Sequence, residues 1–384
     1  MDKMKSQNSV SISRNSNIYH DVQVEKIIPG GDGLVRMKGK VIFIPGVIGG
    51  EIIDFKIVSE GKKFSRGSVI RIKESSENRV LPFCPVYEIC GGCNMQHLSY
   101  EYQISLKESF VKEHFKRLAG IGLPENFKFL PSKPQHYRNR IQLHRGEEGC
   151  GFKMRSSDDV IPLTHCPVLV DSLNDFLSAK ENIVGTKETF YGLEERYYRE
   201  SGQEDIRVLI GDHPVHFRAD LFFQSNLSLI PELLNFSLNG YKGQHGMDLY
   251  CGVGLFSVFM KERFSEITAI ELNPKTEMYY RKNMAGASYH YFAMSLEDWV
   301  KKKSGPPADL IVVDPPRTGL SAKVRSHILK MNVPDLVYVS CDPVTQARDT
   351  KDLLEGGYEI SAARGFDFYP QTAHMETVLR FRKR

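Results

Sequence analysis

The chain has 384 residues, 41% of them hydrophobic and 26% charged, an ordinary globular composition with room for about two or three domains that each bury a core. No run approaches the roughly 18 uninterrupted apolar residues of a membrane span, and the polar opening MDKMKSQNSVSISRNSNIYH lacks the apolar centre of an export signal, so a cytoplasmic protein with no membrane partner is expected. Net charge is only +4, but residues 1–80 hold 14 Lys+Arg against 9 Asp+Glu, and residues 103–155 hold 11 against 5; two basic zones suit a phosphate-rich partner, or two solvated faces.

Residues 1–17 read as disordered. From 18 to 74 the chain reads as all β: VQVEKII, GLVRMKG, KVIFIPGVI, EIIDFKIVSE and SVIRIKE are rich in Val and Ile and broken by glycine turns. Several strands in so short a span predict a small barrel of OB type, a frequent nucleic-acid binder, or otherwise a generic β domain. Residues 75–95 change to Pro and Cys punctuation. SYEYQISLKESFVKEHFKRLAG then predicts a helix stopped by Gly120. Residues 127–225 predict a mixed, β-rich region with strands near 137–144, 205–210 and 214–218. Beyond about 226, strands such as MDLY, EITAIEL, DLIVVD and LVYVS alternate with helices, the pattern of a doubly wound α/β domain with a largely parallel sheet.

Three motifs fall at the carboxyl ends of those strands, where open α/β sheets bind ligands. Asp248-Leu-Tyr-Cys-Gly252-Val-Gly254 lies between a strand and a helix, and Glu271 ends the next strand. Glycines permit a sharp turn and close approach of a ligand, and an acid at that spacing can accept bonds from ribose hydroxyls. There is no third glycine at dinucleotide spacing and no Gly-Lys-Ser/Thr, which disfavours NAD and ATP and leaves S-adenosylmethionine; a plain tight turn is the alternative. Asp314-Pro-Pro-Arg317 follows the next strand, where a stiffened loop presents an acid to a cofactor or base, or simply leads into a helix. Ser340-Cys341-Asp342-Pro343 offers a thiol beside the crevice at a helix N-terminus, a candidate nucleophile where an isolated cysteine would ordinarily be structural. Near the C-terminus stands Pro370-Gln-Thr-Ala-His374-Met-Glu376, in which a lone Glu before a strand is more often a surface residue.

The seven cysteines are odd in number, with no export signal, so metal or catalytic use is favoured over disulfides. Cys84, Cys90 and Cys93 lie within ten residues, and Cys166 sits in His165-Cys166-Pro167. Four thiolates fit an iron–sulfur cluster or a closed zinc site, and spacing alone does not choose between them.

Taken together, these residues resemble the RNA 5-methyluridine methyltransferase family, in the branch that carries a TRAM domain and a 4Fe–4S cluster, whose best-known members act on bacterial 23S ribosomal RNA. The resemblance covers about 18–384. It implies a Rossmann-like α/β S-adenosylmethionine-dependent methyltransferase domain at 226–384, an N-terminal OB-type TRAM barrel at 18–74 and a central β-rich iron–sulfur domain at 75–225. By resemblance, Cys84, Cys90, Cys93 and Cys166 ligate the cluster. Gln224 serves the cofactor and uridine pocket, Tyr250 and Leu255 flank the glycine turn, Glu271 holds the ribose and Ser295 lies near the adenine. Asp314 lies between cofactor and base, Cys341 is the nucleophile, and Glu376 is the base. The family usually shows Ser-Cys-Asn-Pro; the Asp342 found here is expected to raise the thiol pKa. The expected reaction is methylation of carbon 5 of a uridine in RNA, 23S ribosomal RNA ahead of transfer RNA, by a monomer. The alternatives are a cytosine-5 DNA methyltransferase, disfavoured because Ser340 rather than Pro precedes Cys341, and a non-catalytic RNA-binding or assembly factor.

Overall fold

Short runs of Val and Ile between glycine turns favour pleated, half-buried strands, and the chain begins with six of them. The computed structural model describes residues 18–302 and 307–384; the disordered tail expected at 1–17 lies outside the described residues. β1 (Ile18–Gln23), β2 (Lys26–Ile27), β3 (Gly33–Met37), β4 (Lys40–Ile44), β5 (Ile52–Glu60) and β6 (Phe64–Glu74) pair in the order β1-β5-β6-β4-β3-β2. Only the β4–β6 pairing is parallel. Ile42, Ile44, Ile53 and Phe55 point into its buried core, as period-two alternation requires.

The chain divides into two compact units. The first comprises the chain up to Lys107 with Lys153–Asp158 and Gln371–Ala373. It therefore extends past the six strands to the cysteine-bearing stretch. There Arg155 donates to the carbonyls of Tyr87 (3.1 Å) and Cys93 (2.9 Å). Gln103 and Gln371 bond reciprocally, Nε2 to Oε1 at 3.0 Å and Oε1 from the Gln371 N–H at 3.0 Å. α1 (Tyr100–His114) runs into a wider π-turn at Phe115–Ala119, and Gly120, at φ 72°, ends it where expected.

The second unit contains β7 (Phe129–Leu130), β8 (Arg140–Arg145), β9 (Cys150–Lys153), β10 (Val160–Pro162), α2 (Asp171–Ser178), β11 (Lys187–Gly192) and β12 (Tyr197–Arg199), followed by the hairpin β13 (Ile206–Ile210) and β14 (His213–Phe217). Five of these strands form a sheet ordered β10-β9-β8-β11-β12. Next come α3 (Ile230–Leu238), β15 (Gly243–Leu249), α4 (Leu255–Met260), β16 (Phe264–Glu271), α5 (Glu277–Asn283), β17 (Tyr289–Ala293), α6 (Leu296–Lys302), β18 (Leu310–Val313), α7 (Ala322–Met331), β19 (Asp335–Ser340), α8 (Pro343–Glu355), β20 (Tyr358–Phe366) and β21 (Glu376–Lys383). They build an eight-stranded sheet ordered β17-β16-β15-β18-β19-β21-β20-β7.

The strands β15 to β19 are parallel and fully apolar where helices cover both faces, as in Leu310–Val313. From β15 the chain winds outward to β17, then returns to β18 on the other side, so the crevice outside the carboxyl ends of β15 and β18 is a switch point. β21 runs antiparallel to both neighbours, β19 and β20. This is a doubly wound α/β fold. Among the described residues, no helix is long and apolar enough to cross a membrane.

Candidate active site

A cavity of about 600 Å³ opens at that crevice, entirely within the second unit. Gln224, Tyr250, Leu255 and Glu271 line it together with Ser295, Asp314, Cys341 and Glu376. All eight residues proposed from the sequence for cofactor and catalysis therefore share one cavity.

The turn after β15 is built for close approach. Tyr250, Gly252 and Gly254 have φ of 64°, 56° and 91°, the left-handed region that costs a glycine little. A Cβ on Gly252 would meet nothing within 4 Å, whereas one on Gly254 would strike the Tyr280 ring at 2.8 Å. Gly252 thus leaves space for a ligand and Gly254 serves helix packing. Glu271 accepts from the Gly252 N–H (3.0 Å) and the Asn273 N–H (2.7 Å), which fixes its carboxylate and leaves lone pairs for hydroxyl donors. Gln224 is buried, yet its Oε1 has no partner. The same is true of Asp248 Oδ1, while Asp248 Oδ2 accepts from the N–H and hydroxyl of Ser257. An orphaned buried acceptor is costly, and a cavity lined by Gln224 suits a ligand with donors.

Ladder register brings the two reactive groups together. Ser340, at the end of β19, pairs with Thr377 of β21, so Cys341 and Glu376 lie one position beyond that pair. Thr377 donates to the Ser340 carbonyl (3.2 Å) and to Gln346 Oε1 (2.7 Å), tying β19, β21 and α8 together. Glu376 is only 3% exposed, contrary to the surface position ordinarily expected of a lone Glu. Burial, with the neighbouring Asp314 carboxyl, pushes its pKa well above the ordinary value, and Arg317 opposes this.

The Cys341 thiol is pushed up to about 12 by burial, then by Glu376 and Asp314; the Arg317 guanidinium, which hydrogen-bonds the sulfur, acts the other way. The sequence-based expectation for Asp342 changes. Its carboxylate caps α8, accepting from the N–H groups of Val344 (2.9 Å) and Thr345 (3.1 Å), and the thiol answers to burial and to two other acids. Arg317 also reaches His374 Nδ1 at 3.3 Å. The motifs contained both residues, but nothing in their spacing showed that they face the thiol. The Pro-Pro-Arg loop is held from behind by Asp349, which is fully buried and accepts from the Leu320 N–H (2.7 Å), Tyr338 OH (2.7 Å) and Arg325 (2.9 Å). The exposed ring of Phe222 and the buried one of Phe223 also line the cavity, a contribution that the sequence did not single out.

These carboxyls give the unliganded protein a definite pH response. Burial raises Asp248 to about 6, and burial with the Asp248 charge raises Asp314 to about 7, from an ordinary 3.8. The folded state then binds more protons than the unfolded chain. Stability from these groups is complete below the unfolded pKa and is lost as pH rises through about 6 to about 7. The melting temperature should fall from about pH 5 to about pH 8, and Asp314→Asn should flatten the fall. Parallel profiles for wild type and variant would show that Asp314 is not the titrating group.

The cysteine set expected to hold a metal is divided between the two units. Among the described residues no group of three or more His, Cys, Asp or Glu side chains could hold a metal ion. Cys84, Cys90 and Cys93 belong to the first unit and Cys166 to the second, none of them in a disulfide.

Comparison with known proteins finds relatives along nearly the whole chain. A family model described as tRNA (Uracil-5-)-methyltransferase matches residues 306–384, the segment that carries Asp314, Cys341 and Glu376. An uncharacterized RNA methyltransferase of Treponema denticola is 30% identical, over 94% of this chain and 98% of its own length. The 23S rRNA (uracil(1939)-C(5))-methyltransferase RlmD of Vibrio parahaemolyticus is 27% identical, over 95% of this chain and 96% of its own. Among solved structures, Pyrococcus abyssi tRNA (uracil-54, C5)-methyltransferase in complex with S-adenosyl-L-homocysteine is similar in fold, with a TM-score of 0.73 at 23% identity, covering 94% of this chain and 99% of that one.

Proposed function

Because the chain belongs to the RNA uracil-5 methyltransferase family, we propose that it methylates carbon 5 of a uridine in RNA with S-adenosylmethionine as donor, Cys341 as nucleophile and Glu376 as base. The observation that carries this reading is the register pair Ser340–Thr377, which sets the thiol and the buried carboxyl side by side in the cavity that Gln224 and Asp314 also line. A non-catalytic RNA-binding protein has no need of that assembly.

The residues fit the donor. Glu271 would take the ribose hydroxyls, Gly252 leaves room at the turn, Tyr250, Leu255 and Ser295 would enclose the remainder, and Asp314 would lie between donor and base. When bound, S-adenosylmethionine supplies an electrophilic methyl group on a positively charged sulfur. Uracil carbon 5 is a poor nucleophile until a thiolate adds at carbon 6. Burial, then Glu376 and Asp314, raise the Cys341 thiol pKa and positive charge lowers it; Arg317 is the resident source of that charge. Addition of the Cys341 sulfur to carbon 6 places an electron pair on carbon 5, which would take the methyl group as its bond to the sulfonium breaks, the bonding pair staying on that sulfur to leave S-adenosylhomocysteine. Glu376 then removes the carbon 5 proton, and the carbon–sulfur bond breaks to restore the thiolate. A carboxylate whose pKa is raised is the stronger proton acceptor once ionised. Gln224 Oε1, without a partner in the protein, would accept from the uracil N3–H. A paired uridine hides this face, so the target base is flipped or unpaired.

Residues 18–74 would act as an OB-type TRAM module and 75–225 as a central RNA-binding region that guides the strand. Ribosomal RNA is the favoured substrate, supported by the near full-length likeness to the Vibrio enzyme; transfer RNA is the alternative. The 4Fe–4S cluster rests on the family resemblance, with Cys84, Cys90, Cys93 and Cys166 as its ligands, and no step of the reaction passes through it. Iron and sulfide analysis of anaerobically purified protein decides it. The test of function is incubation with labelled S-adenosylmethionine and unmodified ribosomal or transfer RNA, followed by nucleoside mass spectrometry. 5-Methyluridine in ribosomal RNA is the expected result; no methylated uridine in either RNA would overturn the reading.

A further inference from the structure

Strand β8 carries positive charge toward the catalytic side of its sheet without a counter-ion. Ile141 and Leu143 are buried on one face, and Arg140 takes the opposite face at partial exposure. Arg138, two residues earlier, continues that face. In the ladder Arg140 lies opposite Tyr191. The Tyr191 hydroxyl donates to the Gln224 carbonyl at 2.8 Å. Asn139, between the two arginines, donates through its N–H to the Ser225 carbonyl at 2.7 Å, and Tyr137 donates to the Pro370 carbonyl at 2.9 Å. This stretch is thereby stitched to both segments that feed the cavity, one ending in Gln224 and the other running from Tyr369 toward Glu376.

The guanidinium groups are underused there. Arg138 Nε donates only to the Arg140 carbonyl, at 3.0 Å. The side chain of Arg140 makes no hydrogen bond, and its Nε is buried with no partner. Neither makes a salt bridge of 4.0 Å or less among the described residues, and the Glu200 charge reaches Arg140 only through space. Burial works against the Arg140 charge, and Arg138 adds to the cost. A planar guanidinium is the side chain best matched to a phosphodiester, and an unpaired buried donor is costly until its acceptor arrives.

We infer that Arg138 and Arg140 form a two-arginine clamp for the RNA phosphate beside the target uridine. The inference rests on the RNA-methylating function proposed above and adds to it a site for the backbone. The clamp holds the sugar–phosphate chain while the base enters the cavity past Gln224. It carries no sequence preference, because phosphates are alike at every nucleotide.

The test uses the full chain and an RNA fragment that the wild-type protein methylates. Binding is read by fluorescence anisotropy over a range of potassium chloride concentrations, for wild type, Arg138→Gln and Arg140→Gln. Each substitution should weaken RNA binding by roughly tenfold or more. Each should also make the slope of log affinity against log salt shallower, by about 0.7 for every phosphate of single-stranded RNA that is no longer neutralised. S-adenosylmethionine affinity, read by calorimetry, should stay at the wild-type value. Arg138→Gln, which sacrifices one bond to a carbonyl, keeps the test alive if Arg140→Gln fails to fold. Unchanged RNA affinity and salt dependence in folded variants would overturn the clamp. So would weakened cofactor binding with RNA binding intact, since the anion would then be the cofactor carboxylate. A wild-type protein that methylates no RNA fails earlier and indicts the functional reading instead.

Discussion

The Cys341→Ala protein is expected to lose methylation by about 10⁴-fold or more while still binding S-adenosylmethionine. No other group lining the cavity can replace that sulfur as the nucleophile. Cys251 also lines the cavity, but it is buried and its thiol is pushed far up by burial and by the charges of Asp248 and Glu271. The measurement is tritium transfer to RNA, paired with gel detection of the covalent complex on 5-fluorouridine RNA. Wild type should form the complex and the variant should not. An adduct that survives the substitution would assign the chemistry to another residue. The alanine change is small and lies at the cavity, so the fold should persist; melting curves check this.

The second large effect is expected at Glu376. Its carboxyl is buried and biased toward the neutral form, so Glu376→Gln is nearly isosteric with the resting side chain and should fold. The variant can still add Cys341 to carbon 6 and accept the methyl group, but it cannot take the carbon 5 proton. Turnover should fall by roughly 10²- to 10⁴-fold, and ordinary uridine RNA should become trapped as a methylated covalent complex, stable on a denaturing gel. Fast turnover without trapping would place the base elsewhere, with Asp314 the first alternative.

The motifs were legible in the sequence where function sits on a strand end. Asp314 and Cys341 each follow an apolar run of four or more residues, and the glycine turn at 252–254 breaks the chain between a strand and a helix; such boundaries are local and survive any tertiary context. Glu376 was harder to read. Nothing near it in sequence shows that β21 inserts between β19 and β20, and that insertion is what buries it. Asp342 reads differently for a similar reason: its effect depends on where the carboxylate points, and it points back to cap its own helix. α4 ends at Met260, several residues before the apolar pattern suggests, because the chain turns there to begin β16. Arg140 reads as an ordinary surface charge on an alternating strand; only the pairing with Tyr191 shows that its face is the catalytic one. The cysteine spacing raised an expectation of a shared metal, but nothing local links Cys166 to Cys84, Cys90 and Cys93, which belong to the other unit.

The Ser340–Thr377 pairing also constrains how this protein can change over time. The separation of thiol and carboxyl is set by backbone register, not by side-chain packing, and a slip of one residue would turn Glu376 to the far face of the sheet. Point substitutions along Val378–Lys383 can therefore accumulate with modest effect where volume is kept. A single-residue insertion or deletion within the paired stretch Thr377–Arg382 shifts the register on one side of it, unless a bulge takes up the change. Lineages that diverge here should vary freely in residue identity while holding the length of this strand constant. Engineering that lengthens it should cost activity before it costs folding.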